Sequence, residues 1–232
     1  MGKRRRVLLA PDPRLLPDLL PDELFRKITQ SGLCFVVDDD GTISDSSPMY
    51  VDFLARRLKR PLTVADYTLY DFSNIDKRAL GMLIEGVFGK PRLHRHLPVI
   101  PGSVKALQEI SKSGIPVVIL TARPPTEEMR GATEAHKRDH KVPFDLMIFS
   151  SKKKDIIKAL RKPGCRVIVV DDDPKVIAAV SQLASVTAII FDAPYNQRLR
   201  RENVIRAKNK GEQLAWDEVL KVVQKLIRNG HR

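Results

Sequence analysis

The chain reads as an α/β fold, a parallel sheet with helices on both faces, and three observations predict it. From Ile115 onward short apolar runs alternate with longer amphipathic stretches, the pattern of repeated strand–helix units. Two apolar runs, residues 34–37 and 166–170, each stop at three consecutive aspartates. Open parallel sheets bind ligands at the carboxyl ends of their strands, so acidic strand ends fit that geometry. Finally, 232 residues with 43% hydrophobic content suffice for a buried core, which argues against global disorder.

Taken in order, residues 1–22 are basic and then proline-rich, with Pro11, Pro13, Pro17 and Pro21, and read as an extended arm leading into a short helix over 22–30. Residues 34–37 are the first core strand. Met49, Tyr50, Phe53, Leu54 and Leu58 recur at helical spacing until Pro61 ends the run. Thr63-Val64-Ala65-Asp66 has the form of an N-cap and helix start, and residues 78–88 form another helical stripe. A helix is expected over 103–113, closed by Gly114. Thereafter strands are expected at 117–120, 146–149, 167–170 and 188–191. Helices are expected at 127–139, 154–160, 176–183 and 214–227, with Pro174 suited to the first turn of the third. Residues 198–210 form a strongly basic stretch before the last helix.

The formal net charge is +13, from 41 Lys and Arg against 28 Asp and Glu. So basic a balance raises the odds of an anionic partner, and weak binding of nucleic acid through the basic segments is one reading of it. Aromatics are only 6% and do not interleave the basic runs, which argues against a stacking platform for single strands. Cys34 and Cys165 both adjoin expected core strands and read as buried thiols, consistent with a reducing, cytoplasmic setting. No apolar run reaches membrane-spanning length, and residues 7–10 are too short for a signal-peptide core, so no membrane association is expected.

The chemistry concentrates at the strand ends. In Phe35-Val36-Val37-Asp38-Asp39-Asp40-Gly41-Thr42, backbone alternation puts Asp38 and Asp40 on one side and Asp39 on the other. Like charges held this close require a cation or an incoming phosphate group to explain them. Asp171-Asp172-Asp173 ends a second strand, and neighbouring strands would join the two clusters into an all-oxygen site suited to Mg²⁺. A third strand ends in Thr121-Ala122-Arg123-Pro124, offering a hydroxyl and backbone N–H groups to an anion. Lys152-Lys153-Lys154 supplies compact positive charge for the same anion.

Four segments in this order resemble the haloacid dehalogenase superfamily of phosphohydrolases: Asp-x-Asp-Gly-Thr at 38–42, Thr121, a lysine among 152–154, and the acidic pair Asp171-Asp172. Leu120-Thr121-Ala122-Arg123-Pro124, Val169-Val170-Asp171-Asp172, Ala193-Pro194-Tyr195-Asn196 and Ala215-Trp216-Asp217-Glu218 are similar to the 5′-nucleotidase and deoxyribonucleotidase branch. Asp173 departs from the arginine often found after the acidic pair there. The resemblance implies a Rossmann-like three-layer αβα core over 31–45 and 99–232. A small helical cap at 46–98 would lie between the first and second motifs, with 1–30 outside as an arm.

It further implies a Mg²⁺-dependent phosphatase acting on a small phosphorylated substrate, nucleotide-like by preference, through an aspartyl-phosphate. In that scheme Asp38 is the nucleophile, Asp40 the acid and base, and Thr42 orients Asp40 beside the substrate. Asp38, the carbonyl of Asp40, and Asp171 or Asp172 hold the metal. Thr121 and the Ala122 N–H hold a phosphoryl oxygen, and a lysine supplies charge, Lys153 ahead of Lys154. Arg123 either meets substrate or pairs at the sheet edge.

Two other readings stand beside this one: a phosphatase or binder of nucleic-acid ends, and a non-catalytic binding protein on the same fold. The basic run at 90–96 is expected to be a loop that meets an anionic substrate, with His94 and His96 in no zinc site. His136 and His140 are expected on a surface helix, Trp216 as a core anchor, and Tyr195 and Asn196 as loop structure.

Overall fold

The computed structural model describes residues 6–161 and 164–230. Among these, seven strands are present: Arg6–Leu9 (β1), Leu33–Val37 (β2), Val117–Thr121 (β3), Leu146–Phe149 (β4), Arg166–Asp171 (β5), Val186–Phe191 (β6) and Val204–Ala207 (β7). They form one sheet in the order β1-β4-β3-β2-β5-β6-β7, and every pairing is parallel. β2 lies at the centre and is buried along its whole length. Register aligns Val37 with Ile119 of β3 and with Val170 of β5. The ladder continues one step beyond β2, where the Asp38 N–H donates to the Val170 carbonyl at 2.9 Å. Both acidic runs therefore leave the sheet at the same level.

Side-chain alternation along the strands divides the core into two layers. Phe35, Val37, Ile119 and Val170 pack toward helices Ser103–Lys112 (α6) and Ala215–Gly230 (α10), where Trp216 is fully buried. Cys34, Val36, Val118 and Val169 pack on the other face against Leu24 and Ile28 of Asp22–Ser31 (α2), against Lys153–Leu160 (α8), and against Pro174–Val180 (α9). The two cysteines are buried and unbridged, as expected.

Two strands differ from the sequence expectation. Residues 6–9, placed in an extended arm, extend the sheet beyond β4 as edge strand β1, and Ala10 N–H closes the pairing on Phe149 O at 2.8 Å. Val7 and Leu9 pack on one core layer and Leu8 on the other, so this short apolar run serves both faces. The prolines follow the strand, where no ladder donor is needed. Leu16 of the short helix Leu16–Leu19 (α1) and Ile28 of α2 are fully buried. Arg4 and Arg5, the basic start of the expected arm, lie outside the described residues. β7 lies within the basic stretch at 198–210. Its arginines conceal the strand in the sequence, yet Ala207 is buried and Arg206 donates to Asp192, Asn196 and Leu199 rather than projecting as a free cation.

Between β2 and α6 lies an insertion with its own core. It comprises Ser47–Leu58 (α3), Ala79–Leu83 (α4), which runs directly into a π-helical turn at Ile84–Phe88, and Pro91–Arg95 (α5). Tyr50, Leu54, Tyr67, Phe72, Leu83 and Val87 fill it. Gly86 in the π turn lies under Phe53, whose ring a Cβ would meet at 2.1 Å, so a larger residue would have to displace that ring. The helix start expected at Thr63 is a single 3₁₀ turn. Thr63 and Asp66 form a capping box, but Tyr67 already leaves helical geometry. Among the described residues no helix is long and apolar enough to cross a membrane.

Because α2 seals one core layer, Ile28→Ala should destabilise the protein by about 2–5 kcal/mol. Urea unfolding with an unchanged m-value would show this, and catalytic constants measured on the folded fraction should not move.

Candidate active site

The level exit of β2 and β5 from the sheet brings their acidic ends together. Asp38, Asp171 and Asp172 are all buried, and each offers an oxygen within 4.8 Å of the others. Lys153 Nζ lies between two of them, 2.9 Å from Asp38 Oδ1 and 2.8 Å from Asp171 Oδ2. It is the first residue of α8 and is buried, while Lys152 and Lys154 are exposed, so the helix start turns one lysine of the three inward. Asp172 accepts a hydrogen bond from the Tyr195 hydroxyl on Oδ2, while its buried Oδ1 has no hydrogen-bond partner. Asn196 Nδ2 donates to the carbonyls of Asp172 at 3.0 Å and Phe191 at 2.8 Å, which fixes the turn after β6 against the acidic loop. Gly41, at φ 72°, approaches so closely that a Cβ would lie 2.3 Å from Asp172 Oδ2.

Burial, then the mutual repulsion of the carboxylates, pushes Asp38 well above the usual carboxylate range and Asp172 up to about 7. Lys153 opposes this but is a single charge against three. Burial works against the lysine too, yet Asp171 and Asp38 hold its ammonium firmly protonated.

Alternation separates the other two aspartates of the first run, as the sequence predicts. Asp39 points behind the site and is fully buried. It pairs there with the Lys137 ammonium, with Arg123 Nη1 at 2.9 Å, and accepts from Ser44 Oγ at 2.6 Å. Asp40 faces forward into a fork formed by Arg123, whose Nε and Nη2 donate to its two oxygens at 2.7 and 2.8 Å. Burial disfavours both charges, but Arg123 overcomes it and keeps each carboxyl below its ordinary range, with Lys137 assisting at Asp39. Arg123 thus pairs at the sheet edge, and it also lines the cavity, so neither of the two alternatives left open for it displaces the other. Its Nη1 also donates to Thr133 Oγ1 at 3.0 Å, which ties the fork to Glu127–Asp139 (α7).

Above these groups is a cavity of about 380 Å³. Its floor is Asp38, Asp40, Thr121, Ala122, Arg123, Lys153 and Asp172, and its roof is drawn from the insertion: Tyr50, Tyr67, Tyr70, Phe72, Phe88 and His94. Tyr67 stacks on Phe72 with centroids 3.8 Å apart and rests on Tyr195 at 4.2 Å, so the roof is braced against the core.

Of the residues predicted for the site, Asp38, Asp40, Thr121, Ala122, Arg123, Lys153 and Asp172 line this cavity, and Asp171 lies directly behind Lys153. Lys154 is exposed and outside it. Thr42 is buried behind it, where its carbonyl accepts the Trp216 indole N–H at 3.1 Å and its hydroxyl bonds nothing. Trp216 is the core anchor expected.

The histidines differ from expectation. Residues 91–95 are helical, and His94 is buried at the cavity wall. Arg92 and Arg95 do not line the cavity, and Arg95 faces Asp139 at 3.6 Å. His136 is fully buried because α5 packs across α7. Its ring nitrogen Nε2 lies 2.8 Å from the Leu97 carbonyl, to which it donates, leaving Nδ1 to accept from Lys137 at 3.3 Å. Tyr195 and Asn196 do more than shape a loop, since both hold Asp172. Sequence reasoning missed Lys137 and the aromatic roof. The one available signal for Lys137 was the need of a buried Asp39 for a counter-ion.

Burial, and then the neighbouring ammonium of Lys137, lower the His136 pKa to about 4. The unfolded chain takes up this proton near pH 6.5, so the folded state should lose stability as pH falls from about 6.5 to about 4. Urea unfolding at pH 7 and pH 5 should show a smaller loss for His136→Gln than for the parent.

The comparisons with known proteins agree with this geometry. The family model described as "5′ nucleotidase, deoxy (Pyrimidine), cytosolic type C protein" matches residues 33–226. A candidate nucleotidase from Halalkalibacterium halodurans is 25% identical over 193 residues, covering 81% of this chain and 94% of that protein. In fold, the chain is similar to a haloacid dehalogenase-like hydrolase from Streptococcus pneumoniae, with TM-score 0.57 and 18% identity over 84% of this chain and 100% of the other. A hydrolase of the same superfamily from Ehrlichia chaffeensis gives TM-score 0.53 and 14% identity over 84% and 97%. The matched segment contains every strand from β2 to β7 and every floor residue of the cavity. The chain therefore belongs to the cytosolic type C 5′-nucleotidase family, and is a phosphatase built on the haloacid dehalogenase-like fold.

Proposed function

We propose that this chain hydrolyses nucleotide-like phosphomonoesters with Mg²⁺, through an aspartyl-phosphate formed on Asp38. The observation that carries the reading is a charge imbalance. Asp38, Asp39, Asp40, Asp171 and Asp172 meet at one sheet edge, and the buried cations among the described residues are Arg123, Lys137 and Lys153. The two surplus negative charges, and the unpartnered Oδ1 of Asp172, fit one divalent cation. An all-oxygen donor set favours Mg²⁺.

Asp38, the Asp40 carbonyl, and Asp171 or Asp172 are the groups to hold it. Bound there, Mg²⁺ would neutralise charge on the phosphoryl group. The carboxylate of Asp38 attacks phosphorus as the ester oxygen departs, and Asp40, after taking up a proton from solvent, gives that proton to the departing oxygen. Asp40 then takes a proton from the water that cleaves the acyl phosphate, releasing orthophosphate and restoring Asp38. Thr121 and the Ala122 N–H cradle phosphoryl oxygens, and Lys153 offsets their charge. Thr42 supports this floor from behind.

The aromatic roof and the cavity volume suit a nucleoside as leaving group. The family description and the relative's name favour the same class. The insertion, residues 46–98, acts in this reading as the cap that keeps bulk water from the phosphorylated aspartate.

Asp38→Asn should abolish the acid-stable phosphoenzyme signal and reduce turnover of deoxynucleoside monophosphates by about 10⁴-fold or more. Near-native turnover would remove Asp38 from the nucleophile's role. Chelation should abolish activity and Mg²⁺ restore it. Independently of activity, Mg²⁺ should raise the melting temperature of the parent, and Asp172→Asn should lose most of that shift.

A further inference from the structure

His94 is a buried side chain at the cavity that the scheme above leaves without work. It stands on α5, in the insertion, and is 1% exposed. Neither ring nitrogen makes a hydrogen bond. The acceptors facing the ring are the Val87 carbonyl and the Asp40 carboxylate, with Nδ1 4.0 Å from Asp40 Oδ1. That separation is too long for a hydrogen bond and short enough to become one through a small side-chain rotation. A buried imidazole with unmet hydrogen-bonding capacity is costly unless a partner arrives.

Asp40 has the complementary difficulty. Arg123 grips both of its oxygens and aims them at the guanidinium. A carboxyl held in a full fork has no oxygen free to carry a proton to a leaving group. One oxygen has to leave the fork, and the group standing beside Oδ1 to receive it is His94. Lys137 and Lys153 are already committed to Asp39, Asp38 and Asp171. The hydroxyl of Tyr67 donates to the Tyr70 carbonyl and that of Tyr195 to Asp172, and the hydroxyl of Tyr50, which also faces Asp40, is hydrogen-bonded with Ser46.

We propose that His94 is a positioning residue for Asp40: it draws one carboxyl oxygen out of the Arg123 fork and holds the group facing the ester oxygen of the bound substrate. The inference rests on the reading of Asp40 as the proton donor to the leaving group. It assigns to the insertion a part in the chemistry beyond covering the site. No covalent step is added, because the proton still passes from Asp40 to the departing oxygen.

The test uses two substrates that differ in their need for that proton. A deoxynucleoside monophosphate has an alkoxide leaving group that must be protonated, whereas p-nitrophenyl phosphate releases a stabilised phenolate. The quantity to measure is kcat/KM, which reports the step in which the leaving group departs. In full-length protein with Mg²⁺, His94→Leu should lower kcat/KM for the nucleotide by about 10- to 100-fold, a part of the contribution usual for general acid catalysis. For p-nitrophenyl phosphate it should fall less than about threefold. His94→Gln, which keeps a donor near the same place, should recover much of the nucleotide rate.

The ratio of the two substrates within one preparation is independent of the fraction folded, so a poorly folding variant does not obscure the result. An equal loss on both substrates, no loss on either, or a rise in nucleotide KM at constant kcat would overturn the proposal. A parent protein inactive on both substrates would instead overturn the phosphatase reading itself, and His94 with it.

Discussion

Five aspartates are gathered at the carboxyl edge of a parallel sheet, where β2 and β5 release their ends side by side, and the surrounding structure is arranged around the repulsion this creates. Three buried cations answer it, each from a different element: Arg123 from the loop after β3, Lys137 from α7 and Lys153 from the start of α8. Each must be present for the strand ends to stay buried, because an unpaired charge in such surroundings costs several kcal/mol. The remaining negative charge is concentrated on Asp38, Asp171 and Asp172, the groups that face the cavity or stand directly behind it. Asp39 and Asp40 are each paired with Arg123, whereas Asp38, Asp171 and Asp172 have Lys153 as their one buried cation among the described residues. That asymmetry distinguishes a site from a merely stable core.

The insertion is built to a different rule. It sets the His94 imidazole beside Asp40 near the floor and offers mostly aromatic and aliphatic surface elsewhere. Its own small core, with Gly86 fitted under Phe53, makes it a firm roof, and the Tyr67–Tyr195 contact braces it against the turn that also holds Asp172. The acidic edge and the roof are therefore joined through the Tyr195 side chain.

Residues 6–31, which precede the segment shared with the family, are integral to this fold. β1 continues the sheet past β4, and Leu16, Leu24 and Ile28 close one core layer beneath β2, β3 and β4. Lys27 pairs with Asp145, whose other oxygen accepts the Val117 N–H at 2.9 Å, so the segment is tied to the start of β3. The edge strand is short and followed by prolines, which discourages pairing with another chain.

By itself the sequence determined the parallel α/β core, the central strands, the acidic strand ends and the split of Asp38 and Asp40 from Asp39. These follow from local patterns: apolar runs, helical spacing, and the alternation of an extended backbone. The family resemblance, in addition, put Lys153 ahead of Lys154. Only the tertiary structure decided what lies opposite each charge. Lys137 is ninety-eight positions from the aspartate it neutralises, and α7 looks like a surface helix until α5 packs over it and buries His136. The edge strands β1 and β7 were hidden because prolines and arginines flank them, and an edge strand needs neither length nor a continuous apolar run. The aromatic roof, and the burial of His94 at its wall, were not legible either. Tyr50, Tyr67, Phe72 and His94 are scattered along the chain, and only the folding of the insertion over the sheet edge brings them to one cavity.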